Sequence, residues 1–299
     1  MPRMIANRAD EACTMGECID ALDEYRFDAR DEGSLLNAAG WLARLARNRE
    51  FLAELMVERI ANRGSGGIDS GYGPQAIVLT GLRKGYFLRA NIWPAPQDHC
   101  FRASGAASFV YGEPHDHNFD FLTVGYFGPG YGSDYFEYDY EAVAGWRGEP
   151  ADLRFVERSA LHEGRLMHYR AHRDVHSQLP PESLSVSLNV MAAEPSSAWF
   201  DQYGFDLEER RVARVLNPGS TEVFLRSAVA LGSNEALDVA QWIGRTHPSS
   251  RLRLASFEAR AQELEAASDR DALWREAEGA GDAMLAGEAA NRRRAMERA

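Results

Sequence analysis

Two histidines separated by a single residue carry the clearest chemical signal in this sequence. His115 and His117 stand in residues 112–120, between a Gly-Glu-Pro turn and an apolar run. Residues i and i+2 of a β-strand point to the same face of a sheet, so both imidazoles can bind one metal ion. Neutral imidazole is a suitable ligand for iron, zinc, copper and nickel. The pair therefore predicts part of a metal site, and a third ligand should come from a later strand.

The candidates for that third ligand lie further along the chain in a second group of histidines, namely His162, His168, His172 and His176. We predict that His176 is the ligand, because a polar turn and a strand follow it and would return it beside the first pair in an antiparallel barrel. His172 is the main alternative. If the strand is continuous, His168 would lie on the same face as His172 and His176. Asp120, three residues after His117, would instead complete a site of two histidines and one carboxylate.

Three regions that differ in the spacing of their apolar residues must position these histidines. Apolar residues recur at helical spacing over residues 8–64, and a similar pattern returns over residues 205–299. Between them the period changes to that of short strands bounded by glycine and proline. We predict a helical N-terminal flank at 1–70, a β-barrel with the metal site at 71–200 and a helical C-terminal region at 201–299.

The middle region contains about eight runs that are typical of β-strands. They fall at residues 76–80, 86–93, 107–111, 121–127, 135–140, 153–158, 165–170 and 184–190. Many short strands at close spacing favour a β-sandwich or a jelly-roll barrel. The predicted fold class is therefore mainly β, with helical flanks at both ends.

Charge and composition limit the classes of partner. The net charge of −12 argues against a surface for nucleic acid or anionic membranes, because both require clustered cations. No stretch of about 18 apolar residues occurs, so no membrane span is expected. The polar first residues lack an apolar signal sequence, and three cysteines form no evident disulfide framework, so we expect a cytoplasmic protein. The spacing of Cys13 and Cys18 is only a weak zinc signal.

A glycine turn, a His-x-His pair, a glycine-rich turn and a lone histidine about sixty residues later resemble the cupin superfamily. The resemblance covers roughly residues 75–195 and leaves the helical flanks outside it. Within that superfamily, His115, His117, a late histidine and the strand containing residues 185–188 are most similar to the three-histidine thiol dioxygenases.

The resemblance implies a jelly-roll β-barrel that binds Fe²⁺ through three histidines, with zinc, manganese or nickel as alternative metals. It implies an oxygenase that acts with dioxygen on a small amino-acid-like or peptidyl substrate. An arginine on an earlier strand binds the substrate carboxylate in that family, and Arg89 occupies a comparable place. Tyr126, Tyr131 and Tyr169 are candidate hydrogen-bond donors to the substrate or around the metal.

The sequence also departs from the family pattern. Phe121 stands where the first cupin motif usually has a glutamate, no cysteine occupies that position, and the second motif lacks a clean Pro-x-Gly. The missing glutamate favours three histidines as the metal ligands.

Three other functions stay open. A site of two histidines and one carboxylate would fit a hydroxylase that uses a 2-oxo acid, with Arg89, Arg170 or Arg173 binding the acid. A non-catalytic metal-binding cupin module is the second alternative. The third, a metal-assisted isomerase or hydrolase, would need Glu113 or Glu137 as a general base. The helical C-terminal region would then form a separate module or a homodimer contact.

Overall fold

The computed structural model describes residues 2–61, 75–232 and 234–298. The strands are β1 (Arg3–Ile5), β2 (Ala76–Val78), β3 (Tyr86–Trp93), β4 (Phe121–Phe127), β5 (Gly132–Glu137), β6 (Arg154–Ala160), β7 (Leu166–Tyr169), β8 (Asp174–Leu179), β9 (Ser185–Ala192), β10 (Tyr203–Asp206) and β11 (Arg211–Val215). The helices are α1 (Met15–Glu24), α2 (Glu32–Ala46), α3 (Phe51–Ala61), α4 (His99–Ser104), α5 (Ser220–Ala230), α6 (Asn234–Thr246), α7 (Ser250–Gln262), α8 (Ala267–Glu278) and α9 (Ala283–Glu297). Short 3₁₀ helices occupy Ala106–Phe109, Tyr140–Ala142 and Pro195–Trp199.

The largest sheet has six antiparallel strands in the order β1-β7-β4-β9-β3-β2. Strand β9 lies between β4 and β3, and all eight of its residues are buried. Apolar Val186, Leu188 and Val190 alternate along β9 with polar Ser187 and Asn189, and both sets are buried because both faces of the strand are covered.

The two faces of this sheet pack against different partners. On the outer face, Leu88, Leu122 and Leu188 share one apolar core with residues of α1, α2 and α3. The inner face carries the alternate residues, among them Trp93 and Met191, which belong to a second core. Alternation along each strand therefore separates a helix-covered face from a face that is available for a site.

A second antiparallel sheet with the strand order β6-β5-β8 closes over the inner face. Tyr135 of β5 belongs to the same core as Met167 and Tyr169 of β7. The two sheets thus pack face to face, and their shared interior lies between β8 and the inner face of the six-stranded sheet.

The helical N-terminal segment owes its helices to local signals and to burial. Thr14 and Glu17 form a reciprocal capping box at the start of α1, and the Asp31 side chain accepts from the backbone N–H of Ser34 at the start of α2. The apolar sides of these helices then pack onto the outer face of the six-stranded sheet.

By internal contacts the chain divides into two compact units, residues 1–139 with 153–200, and residues 140–152 with 201–299. The first unit contains both sheets described above together with the N-terminal helices. The second contains the β10–β11 hairpin and α5 to α9. The predicted boundary between residues 70 and 71 lies outside the described residues.

The prediction of antiparallel strands together with helices is confirmed, but more of the described residues lie in helices than in strands, so the expected mainly β class is wrong. Several elements also differ in detail, and strand β8 was not among the predicted strands. Residues 107–111 were predicted to form a strand, but Ala106–Phe109 is a 3₁₀ helix that Val110 ends in a left-handed conformation with φ of 61°. Phe109 and Tyr111, both within the predicted strand at 107–111, are buried in the inner core. Burial alone does not distinguish a short strand from a helical turn. The predicted helical region 201–299 also begins with the strands β10 and β11.

Within the described residues, every helix is too short or too polar to cross a lipid bilayer.

Candidate metal centre

Three buried histidines converge between the two sheets. His115, His117 and His176 each offer one ring nitrogen, and these atoms lie within 4.8 Å of one another. The Nε2 atoms of His115 and His176 are 3.2 Å apart. For a metal ion with bonds of about 2.1 Å to nitrogen, neighbouring ligand atoms are separated by about 3.0–3.4 Å. His115 and His176 therefore have the spacing of two ligands to a single ion, and a ring nitrogen of His117 lies within 4.8 Å of both.

Backbone pairing holds the triad in place. His115 and His176 form an antiparallel bridge, in which each N–H donates to the other carbonyl at 3.0 Å. His176 is on β8 and stands opposite Tyr135 of β5. The His117 carbonyl accepts a hydrogen bond from the backbone N–H of His172 at 2.8 Å. This bond joins the segment after the Gly-Glu-Pro turn to the chain just before β8.

The protonation state of the triad suits a metal. Burial, followed by the neighbouring His115, His176 and Arg89, holds the pKa of His117 well below its usual value. Burial, and then His115, has the same effect on the pKa of His176. Both imidazoles are therefore neutral near pH 7, and neutral imidazole is the form that binds metals.

One hydrogen bond also selects the donor atom of His115. Its Nδ1 lies 2.7 Å from the Glu113 carbonyl oxygen, which can only accept, so Nδ1 carries the proton and Nε2 keeps its lone pair. A lone pair on His176 Nε2 would face that of His115 at 3.2 Å. Two such lone pairs repel each other unless a cation lies between them, so the donor set fits a divalent metal ion.

The alternative ligands lie elsewhere. Asp120 accepts from His168 Nε2 at 3.0 Å, and His168 follows the register of Leu122 on the outer face. His172 packs against Phe200 with ring centroids 4.9 Å apart. Together Asp120 and His172 line a surface pocket of about 260 Å³. The structure thus does not bring the predicted alternatives Asp120, His168 and His172 into the triad, because their side chains are engaged outside it.

Phe121 forms part of an aromatic wall beside the triad. Its ring meets that of His117 edge to face at 4.8 Å and stacks on Tyr169 at 4.4 Å. Phe121 therefore packs against His117 and offers no donor atom to a metal ion.

Tyr169 lies in the site, and two further tyrosines accompany it. Its ring is 4.9 Å from that of His176, and its hydroxyl donates to the Tyr135 hydroxyl at 3.1 Å. Burial raises the pKa of Tyr131, Tyr135 and Tyr169, so all three hydroxyls stay protonated. Sequence analysis missed Tyr135, although it lies two residues after the buried Ser133 on β5 and therefore shares its face.

Tyr126 corrects a sequence-based prediction. It belongs to the outer core, packs edge to face on Phe51 at 5.7 Å, and donates its hydroxyl hydrogen to the Asn48 carbonyl at 2.8 Å. The six-stranded sheet separates it from the triad, so the structure gives it a structural contact with the helices and no place in the site.

Arg89 lies on the inner face of β3. It stands opposite Asn189 of β9, and its positive charge contributes to the lowered pKa of His117 after burial and the other two histidines. Arg89 thus lies on the face that the triad occupies, and a guanidinium can donate hydrogen bonds to an anion. The other predicted arginines form ion pairs, Arg170 with Asp174 at 2.6 Å and Arg173 with Glu137 at 3.5 Å.

Gln178 is a second polar residue of the site that sequence analysis missed. It follows His176 by two residues on β8, so both side chains point to the same face, and its Nε2 lies 3.3 Å from His176 Nε2. The i, i+2 rule that identified the first histidine pair applies equally to this pair.

Comparisons with known proteins add little to this geometry. The sequence matches no family model, and no curated protein is similar to it. Among solved structures, a hydroquinone 1,2-dioxygenase in complex with Cd²⁺ shares 14% identity at a TM-score of 0.25, over 43% of this chain and 69% of that chain. A DMSP lyase shares 11% identity at a TM-score of 0.29, over 67% and 83%. The capsular polysaccharide assembling protein CapF of Staphylococcus aureus shares 8% identity at a TM-score of 0.24, over 68% and 49%. Scores this low do not establish a common fold, so the site stands on the geometry of its own residues.

Proposed function

We propose that this protein is a cupin-type, iron(II)-dependent dioxygenase that oxidises a small amino-acid-like or peptidyl substrate. One observation carries the proposal: three buried imidazoles converge within 4.8 Å between two antiparallel sheets, and burial lowers the pKa values of His117 and His176. A buried imidazole loses its hydration, and a bound metal ion compensates for that loss. His117 Nδ1 and His176 Nδ1 indeed have no hydrogen-bond partner among the described residues.

Iron(II) bound to the triad would supply open coordination positions at which a substrate and dioxygen meet, which is chemistry that side chains alone do not offer. His115, His117 and His176 would hold the ion. Zinc, manganese or nickel would fit the same donors. We propose iron because three neutral ligands do not offset the positive charge of the ion and because iron supplies redox chemistry.

Arg89 supports a substrate that carries a carboxylate. A guanidinium on the inner face of the sheet can donate two parallel hydrogen bonds to such a group. This contact would orient the substrate with its reactive end toward the triad. The buried surroundings strengthen the interaction, because the effective dielectric constant is lower than in water.

The tyrosines would complete the substrate pocket. Because burial raises the pKa values of Tyr135 and Tyr169, their hydroxyls act as proton donors in hydrogen bonds and not as phenolates. Their rings, with Phe121, would exclude water from the reacting groups.

The geometry gives less support to the 2-oxo-acid-dependent hydroxylase. That class uses one carboxylate ligand, and the predicted carboxylate, Asp120, is hydrogen-bonded to His168. The isomerase alternative is likewise disfavoured at Glu137, which is bound to Arg170 at 2.9 Å.

Elemental analysis of protein purified without oxygen tests the proposal. We expect about one iron per chain and, after addition of candidate amino-acid or peptide substrates, consumption of dissolved oxygen. His176→Ala is the matched control and should lose both. Protein that retains zinc or no metal and consumes no oxygen would contradict the oxygenase and would favour the non-catalytic metal-binding module.

A further inference from the structure

Gln178 is held rigidly beside the histidine triad. It lies on β8 opposite Ser133 of β5, and its backbone carbonyl accepts from the Gly112 N–H at 2.9 Å. Backbone pairing on both sides therefore fixes the strand at this residue. The side chain is buried, with 5% of its surface exposed.

The amide of Gln178 lies at the distance of a metal ligand. Its Nε2 is 3.3 Å from His176 Nε2, and the same His176 atom is 3.2 Å from His115 Nε2. Both separations equal the spacing of about 3.0–3.4 Å expected for neighbouring ligands of one ion. An ion bound to His176 Nε2 would thus have the Gln178 amide beside one of its ligand atoms.

The orientation of that amide decides what it offers. A bound cation takes the lone pair of His176 Nε2, which removes the acceptor toward which the Gln178 nitrogen points. An N–H beside a cation is also repelled. Rotation by half a turn exchanges the amide oxygen and nitrogen at almost no steric cost, since the two atoms have nearly the same size.

A second observation supports this rotation. The Oε1 atom of Gln178 is buried and has no hydrogen-bond partner among the described residues. An unsatisfied buried carbonyl costs about 1–3 kcal/mol and requires an explanation in a native structure. A metal ion next to His176 supplies the missing partner.

We propose that Gln178 binds the metal through Oε1 as a fourth protein ligand, an inference that rests on the proposed metal site. The ligand is neutral, so the full positive charge of the ion remains and adds to that of Arg89. The site then attracts anionic substrates, and one fewer coordination position is available to them than at a site with three ligands.

The test is a titration of the metal-free, full-length protein with Co²⁺, read by its visible absorption and by competition with a chelator of known affinity. We expect Gln178→Leu to weaken Co²⁺ binding about 10- to 100-fold and to change the visible spectrum. Gln178→Glu keeps the shape and supplies a charged oxygen, so it should bind Co²⁺ more tightly than the unaltered protein.

Gln75→Leu is the matched control. Gln75 is also buried, at 6% exposure, and its Oε1 also lacks a partner among the described residues, but it precedes β2 at the edge of the six-stranded sheet. This variant should bind Co²⁺ like the unaltered protein.

The outcomes separate the two proposals. Equal affinity and an equal spectrum for Gln178→Leu would overturn the fourth ligand while the triad stands. If Gln178→Leu does not fold, unchanged Co²⁺ affinity in Gln178→Glu would overturn it instead. Failure of the unaltered protein to bind Co²⁺ at all would overturn both the triad and the fourth ligand.

Discussion

The Nε2 atoms of His115 and His176 lie 3.2 Å apart although 61 residues separate them along the chain. Their backbones pair directly, so the distance between the rings follows from the register of two strands and not from loop conformation. Sites built on paired strands are positioned more accurately than sites on loops. The triad is therefore preorganised, and its properties can be tested one residue at a time.

Removal of any histidine of the triad should abolish metal binding. His115→Ala, His117→Ala and His176→Ala each leave only two histidine donors in a buried site, which is too few to offset the lost hydration of the ion. His172→Ala should retain the metal, because His172 packs on Phe200 outside the triad. Metal content per chain, measured by elemental analysis, checks both. Loss of metal in His172→Ala with retention in His176→Ala would reverse the assignment of the third ligand.

Asp120→Ala should destabilise the protein without removing the metal. The substitution leaves His168, which is 6% exposed, without its carboxylate partner, at a cost of about 1–3 kcal/mol. Urea unfolding measures this loss. Asp134→Ala removes a carboxylate from an ion pair with the largely exposed Arg158, and it should change stability by less than about 1 kcal/mol. Loss of metal from Asp120→Ala would instead support Asp120 as a metal ligand.

Arg89→Ala should weaken substrate binding and spare the metal. A charge-assisted hydrogen bond contributes about 1.5–3 kcal/mol, so kcat/KM for a carboxylate substrate should fall about 10- to 100-fold. Steady-state oxygen uptake gives this ratio, and metal content is measured in parallel. Arg173→Ala alters an exposed arginine and should leave the ratio unchanged. An unaltered kcat/KM in Arg89→Ala would exclude its role in binding the carboxylate.

Two tyrosine variants should separate the two faces of the sheet. Tyr169→Phe removes a hydroxyl from the site, and we expect oxygen uptake to fall about tenfold, the equivalent of one hydrogen bond of about 1.4 kcal/mol. Tyr126→Phe removes the bond to Asn48 on the outer face, so it should lower stability by about 0.5–1.5 kcal/mol and leave turnover unchanged. The opposite pattern would show that Tyr126, and not Tyr169, acts in the site.

The metal-free protein should lose stability as the pH falls below about 6.5. In the folded state the pKa values of His117 and His176 are lowered, chiefly by burial, whereas in the unfolded chain they return to about 6.5. Below that pH the unfolded chain binds more protons, so the free energy of unfolding decreases until the lowered folded pKa is reached. Urea unfolding between pH 7.5 and 5 measures the slope. His117→Phe should show a shallower slope, and an equal slope would assign the effect to other groups.

A short-range rule accounts for the part of the candidate site that lies on single strands. Alternation on a strand is sufficient to place His115 and His117 on one face, and the same rule applied to His176 would have identified Gln178. Tyr126 was misplaced because β4 is apolar on both faces, so its pattern does not reveal which face meets the second sheet.

Long-range pairing was harder to predict. The choice among the late histidines depends on where the chain bends after β7, and His172 takes a left-handed conformation with φ of 59° at this bend. Histidine is enriched in that conformation over most other non-glycine residues, but the conformation is too uncommon for the sequence alone to predict a bend there. The bend places His176 on a new strand in the second sheet, and His168 stays on the outer face of the first.

The position of β9 determines when the β region can form during synthesis. This strand joins β3 to β4, yet Asn189 stands 100 residues after its neighbour Arg89. The ribosome must release residues 185–192 before the six-stranded sheet can close, and β3 and β4 expose open strand edges until then. Pairings of such sequence separation also slow folding. Slower synthesis or chaperone binding over this interval should therefore raise the yield of folded protein.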